Sequence, residues 1–123
     1  MAVRPIISVV DDDESMRESL PDLLVELGFS ARAFPSAQAF LDSGAITQTR
    51  CLILDVAMPG MSGPELYREL RARGHGVPVV FISAHFNEDL RTGLIKQGAI
   101  ACLFKPFTEK ELETVLQAAL GAS

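Results

Sequence analysis

The chain has 123 residues, 48% of them hydrophobic and 22% charged, and carries a net charge of −5; that length suits one domain burying its own core, so residues 1–123 are read as a single domain. The acidic balance argues against direct contact with nucleic acid or an anionic membrane surface. No apolar run approaches the length that spans a bilayer, and the N-terminal stretch lacks the pattern of a secretory signal, so the expectation is a cytoplasmic protein.

The first apolar run, "IISVV" (6–10), is continuous rather than alternating, as in a strand buried on both faces of a parallel sheet. It ends abruptly in four acids, Asp11, Asp12, Asp13 and Glu14. Asp13, Glu14 and Ser15 suit the start of a helix, where side-chain oxygens and negative charge meet free N–H groups. The helical segment "MRESLPDLLVELG" contains Pro21, which costs about 3 kcal/mol in a helix interior and predicts a kink or a late start. "FSARAF" (29–34) alternates as an edge strand would, and "CLIL" (51–54) is a buried strand ending in Asp55. "MPGMSG" is turn chemistry, and Pro64 suits the first position of the helix "PELYRELRARG". "VVFI" (79–82) is a buried strand ending in Ser83, and the helix "EDLRTGLIKQG" is weakened by Gly93, by roughly 1 kcal/mol relative to alanine. "ACLF" (101–104) is the last strand and ends in Lys105; Thr108 and Glu111 then form a capping box for "EKELETVLQAAL".

Strands alternating with helices predict βαβ units and an open α/β sheet covered on both faces. In such sheets functional groups collect beyond the carboxyl ends of the strands. If the strands lie in the order 2-1-3-4-5, the first and third are neighbours, and Asp11, Asp12 and Asp55 share one crevice with Lys105 nearby. Two like charges at about 4 Å repel by about 4 kcal/mol at an effective dielectric of 20, so the cluster calls for compensation. A divalent cation is the natural remedy, and a set of hard oxygens selects Mg²⁺, with Mn²⁺ as a substitute, over zinc.

Four stretches taken together, "VVDDDESMR", "LILDVAMPGMSG", "VVFISAH" and "LFKPF", resemble the receiver domain of two-component response regulators over the whole chain. The resemblance implies a doubly wound, flavodoxin-like (βα)5 fold with a five-stranded parallel sheet in the order 2-1-3-4-5. It implies that Asp55 accepts a phosphoryl group from a phosphohistidine. Asp12 would ligate Mg²⁺ directly, Asp11 through water, and Ala57 through its main-chain carbonyl. Ser83 and Ala84 would bind the phosphoryl oxygens on one side and Lys105 on the other, before a cis bond to Pro106. The partners implied are a sensor histidine kinase or phosphotransfer protein, a receiver homodimer, and an output domain or effector protein that this chain does not contain. In that strand order the strands of Cys51 and Cys102 are separated by a third, so both are expected as free buried thiols.

Ala57 and His85 fall where receivers vary and where a side chain shades the path of hydrolytic water, so they are candidates for tuning dephosphorylation. The chain departs from the family at Cys102, three residues before Lys105, where receivers place an aromatic that swings inward to couple the site to the fourth helix. Phe104, on the same strand face, or Phe86 fills that role, or else coupling here is weak. The resulting switch acts on the surface of the fourth helix, fifth strand and fifth helix and catalyses its own phosphorylation and dephosphorylation without being an enzyme. A competing reading is a Mg²⁺-dependent phosphohydrolase of the haloacid-dehalogenase type, which wants a second acid two residues after the nucleophile, where this chain has Ala57. A docking module that has lost phosphorylation is disfavoured by the full set of acids and lysine.

Overall fold

In the computed structural model, residues 4–121 are described; residues 1–3 and 122–123, the ends of the single-domain expectation, lie outside them. Five strands alternate with five helices: β1 (Ile6–Val10), α1 (Glu14–Glu26), β2 (Ser30–Phe34), α2 (Ala37–Ser43), β3 (Cys51–Asp55), α3 (Gly63–Ala72), β4 (Val79–Ser83), α4 (Glu88–Lys96), β5 (Ala101–Phe104) and α5 (Glu109–Gly121). A short 3-10 turn, Ala45–Thr47, follows α2. The strands form one parallel sheet in the order β2-β1-β3-β4-β5, so the anticipated order is observed.

The continuous apolar runs are explained by two cores, one on each face. Ile7, Val9, Ile53, Val80 and Ile82 pack with Leu20 and Leu24 of α1 and Leu112 and Leu116 of α5. Val10, Leu52, Leu54, Phe81 and Cys102 pack on the other face with Phe40 of α2, Leu66, Tyr67 and Leu70 of α3, and Leu94 of α4. Each fully buried Leu, Ile or Phe contributes about 1.5 to 3 kcal/mol. β3 and β4 are buried at every position, whereas β2, with one neighbour, exposes Arg32 and Ala33. Ser8 is the polar exception inside β1, and its hydroxyl pairs with Thr49 Oγ1 at 2.6 Å while Thr49 also donates to the Ala45 carbonyl.

α1 begins at Glu14 with Asp13 as its N-cap and runs through Pro21, so the late start expected there does not occur. Leu20 and Leu24, buried on either side of the proline, hold the turn against the sheet while the bond that Pro21 cannot donate is lost. α2 has no counterpart among the segments singled out above, because seven residues are too few to display helical periodicity. At α3, Ser62 is the N-cap, reciprocally bonded to Glu65, which places Pro64 second rather than first in the helix. The Thr108–Glu111 capping box is present as anticipated. Cys51 and Cys102 are free and buried on strands separated by β4, and burial pushes the Cys51 thiol up to about 12. No described helix is long and apolar enough to cross a membrane.

Candidate functional site

The carboxyl ends of β1, β3, β4 and β5 converge on one rim. Asp11 follows β1 directly, and its backbone N–H still donates to Phe34 O of β2 at 3.1 Å, which fixes the residue to the sheet. Its side chain is fully buried: Oδ1 accepts the Asp13 N–H at 3.0 Å and Oδ2 receives Lys105 Nζ at 2.8 Å. The Arg17 guanidinium donates to the Asp11 carbonyl at 3.1 Å and ties α1 to the same corner. Asp55 ends β3 next to it, 5% exposed, with Oδ1 3.3 Å from Lys105 Nζ. Asp12, exposed on the loop, completes a trio in which one ligand atom from each acid lies within 4.8 Å of the others. Lys105 is placed by its N–H to Ser83 O at 2.9 Å and is followed by the cis bond to Pro106.

Three acids against one ammonium leave the site short of positive charge. Burial, then the neighbouring Asp11 charge, pushes the Asp55 carboxyl from 3.8 up to about 6, although Lys105 pulls it down. Burial also disfavours the charged form of Lys105, but its hydrogen bonds and charge contacts with Asp11 and Asp55 outweigh this and hold its pKa above the ordinary value. The donor set is carboxylate throughout, the acids are close enough for one ion, and Asp12 opens the cluster to solvent, so these residues fit a small hard divalent cation.

The remaining sequence candidates fall into two groups. Ala57, Ala84 and His85 are exposed on the loops after β3 and β4. Ser83 reaches the rim, but its hydroxyl is engaged elsewhere: it donates to the His85 carbonyl at 3.0 Å and accepts the His85 N–H at 3.1 Å. Cys102 is buried beneath the rim in the α2–α4 core, paired in register with Phe81. Phe104 is 49% exposed, and its ring meets that of Phe86 edge to face, with centroids 5.2 Å apart.

Gly63 is a site residue that motif reading passes over as turn chemistry. Its N–H donates to Val56 O at 3.0 Å, and a Cβ there would overlap the Asp55 carbonyl oxygen and lie 3.0 Å from the Asp55 carbonyl carbon. The first turn of α3 therefore rests directly on the backbone that carries Asp55. The only hint in the sequence is that "SGPEL" puts glycine between a capping serine and the proline. Gly63→Ala is expected to cost about 1 to 3 kcal/mol, because the atoms in the way are backbone and cannot rotate aside. A thermal melt followed by circular dichroism checks this, and an unchanged midpoint would show that α3 can lift away from β3 freely.

Comparison with known proteins bears on this geometry. The family model described as the response regulator receiver domain matches residues 7–117. The response regulator protein TodT of Pseudomonas putida is 40% identical over 115 residues, which cover 94% of this chain and 51% of that protein. The structure of the response regulator StyR superposes with a TM-score of 0.89 at 42% identity, covering 98% of this chain and 61% of that one. The crystal structure of FixJ-N does so with a TM-score of 0.86 at 30% identity, covering 99% and 98%. The chain thus spans about half the length of the curated relatives it matches.

Proposed function

The chain belongs to the response regulator receiver domain family of two-component signalling, and from that premise we propose that Asp55 is its phospho-acceptor, served by Asp11, Asp12, Ser83, Ala84 and Lys105. Receivers are signalling switches rather than enzymes. The haloacid-dehalogenase-like alternative finds no support in the matches, and position 57 holds alanine where it wants an acid.

The observation that carries the proposal is the Asp11–Lys105–Asp55 triad, in which one ammonium holds two carboxylates from neighbouring strands at 2.8 and 3.3 Å. Asp55 is the acid suited to attack: it is anchored through Gly63 and carries an oxygen held by an ammonium that can move to an incoming phosphoryl oxygen. Attack by its free carboxylate oxygen forms an O–P bond as the P–N bond to the donor histidine breaks, and the electron pair leaves with the imidazole. Negative charge spreads over the equatorial oxygens, where preorganised donors act by position and charge. Lys105 supplies such a donor from one side. Ser83 supplies a hydroxyl from the other once it leaves His85, with the Ala84 N–H beside it. Asp11, Asp12, Asp55 and the Ala57 carbonyl are the residues that would hold Mg²⁺, or Mn²⁺ in its place. When bound, the ion neutralises carboxylate charge and draws the phosphoryl oxygens to the acids.

The product is an acyl phosphate, open to hydrolysis. Ala57 leaves one side of the water path unshielded, and the exposed His85 borders the other, so these two residues set its lifetime. The donor is a sensor histidine kinase or a phosphotransfer protein, in keeping with a cytoplasmic location. A receiver homodimer and an output domain or effector protein complete the set of partners, with α4, β5 and α5 as the responding surface. Incubation with acetyl phosphate is expected to add one phosphate by intact mass, only with Mg²⁺ present and not in Asp55→Asn. Incorporation that persists in Asp55→Asn, or that ignores Mg²⁺, would refute the assignment.

A further inference from the structure

α4 is held differently at its two ends. At its C-terminal end, Tyr67 Oη of α3 donates to Gln97 O at 3.1 Å, and Arg71 donates to the same carbonyl and to Tyr67 Oη, each at 3.0 Å. Gly98 makes this possible, since a Cβ there would lie 2.8 Å from the Arg71 guanidinium and 2.9 Å from Tyr67 Oη. Tyr67 is itself buried and packs edge-on against Phe81 of β4. That end is stapled to the core.

The N-terminal end, where Asn87 caps the helix and Leu90 packs on the core, also carries contacts that form a small closed circuit. Ser83 Oγ grips both the N–H and the carbonyl of His85. The next residue, Phe86, lays its ring against Phe104. Phe104 in turn is the register partner of Ser83 across β4 and β5. A groove of about 490 Å³, lined by Phe86, Arg91, Ile95 and Phe104 among others, lies beside the pair. Cys102 lies outside the circuit, buried deeper in the sheet, where it pairs in register with Phe81.

We propose that the Phe86–Phe104 pair is the latch that couples this phosphorylation site to α4, taking over the transmitting role that residue 102 lacks the bulk to play. The inference rests on the phospho-acceptor reading of Asp55. A hydroxyl has one proton to donate, so Ser83 Oγ cannot donate to a phosphoryl oxygen and to His85 O together. When its proton turns to the phosphoryl group the bond to His85 O is lost and only the His85 N–H stays on Ser83 Oγ. With that half of the grip gone the 84–87 segment loosens, Phe86 leaves Phe104, and α4 swings about its stapled Gln97 end.

Amide hydrogen exchange followed residue by residue tests the latch. In wild type, phosphorylation by acetyl phosphate with Mg²⁺ is expected to speed exchange at residues 86–90 about tenfold and to leave 97–99 unchanged. Phe86→Ala is expected to show the fast 86–90 exchange already without phosphate and to respond less than about twofold when phosphorylated. Ser83→Ala removes both bonds to His85, so the amide of residue 85 speeds up for that reason alone; the latch requires the same fast exchange at 86–90, and this arm needs no phosphorylation at all. Phe86→Leu keeps the bulk and is expected to restore part of the response, guarding against a merely unfolded loop. A tenfold response retained in Phe86→Ala, or slow 86–90 exchange in Ser83→Ala, overturns the latch. Failure of Asp55 to accept phosphate would appear separately, in the intact mass, with the Ser83→Ala arm still deciding the latch.

Discussion

Lys105→Met is expected to destabilise the metal-free protein by about 3 to 5 kcal/mol and to slow phosphate incorporation by about 10²- to 10³-fold. The stability loss does not come from the methionine, whose stem fills the same space. It comes from Asp11, whose fully buried carboxylate would lose the ammonium bonded to it, and from Asp55, which would lose the one charge that lowers its pKa. Removing one member of a buried ion pair costs more than the pair contributes, because the remaining charge keeps its desolvation penalty without the compensating attraction. Added Mg²⁺ is expected to recover much of the stability, since it supplies positive charge to the same acids. It should recover little of the rate, because the donor on that side of the phosphoryl group is gone. Chemical denaturation with and without Mg²⁺ measures the first effect, and the time course of mass gain the second. A stable Lys105→Met protein that incorporates phosphate at the wild-type rate would show that the triad is a surface ion pair with no task.

The contrast between what the sequence reveals and what it hides follows from the range of the interactions concerned. The strand–helix alternation is legible because each buried strand writes its burial as an unbroken apolar run, and because Thr108 with Glu111 marks a helix start within four residues. The rim is legible too, since Asp11, Asp55, Ser83 and Lys105 each sit directly after or at the end of such a run, and the parallel sheet brings those ends together. α2 is hidden by its seven-residue length. The role of Gly63 is hidden because it depends on the approach of α3 to the Asp55 carbonyl, a contact with no local signature. Pro21 misleads in the opposite sense: its intrinsic cost is real, but Leu20 and Leu24 anchor the helix firmly enough to carry it from Glu14 onward. The grip of Ser83 on His85 and the Tyr67–Arg71 staple on Gln97 likewise require coordinates, because hydroxyl and guanidinium partners follow from rotamers and not from residue order.

Asp55→Asn is expected to stabilise the metal-free protein at pH 7 by about 1 to 3 kcal/mol, with the gain vanishing toward about pH 4. The Asp55 carboxyl titrates near 6 in the fold against 3.8 as its ordinary value, so between those pH values the folded state holds a proton that the unfolded state has released. Unfolding then becomes more favourable as pH rises, and wild-type stability falls across that window and stays low above about pH 6. An amide at position 55 carries no charge to desolvate or to repel Asp11, so the variant lacks this decline and its advantage over wild type grows from about pH 4 to about pH 6. If the acids hold Mg²⁺ as proposed, the ion should reverse the order: binding the folded wild type more tightly than the variant, it would stabilise it by mass action, so that the two unfolding curves converge and then cross as the ion is raised. Urea unfolding at about pH 4, 5, 6 and 7, repeated with Mg²⁺, measures both effects. An Asp55→Asn variant less stable than wild type at neutral pH without metal would mean that Lys105 overcompensates the acids. The cluster would then be a net source of folding energy, and the pull on a cation would have to come from something other than unrelieved negative charge.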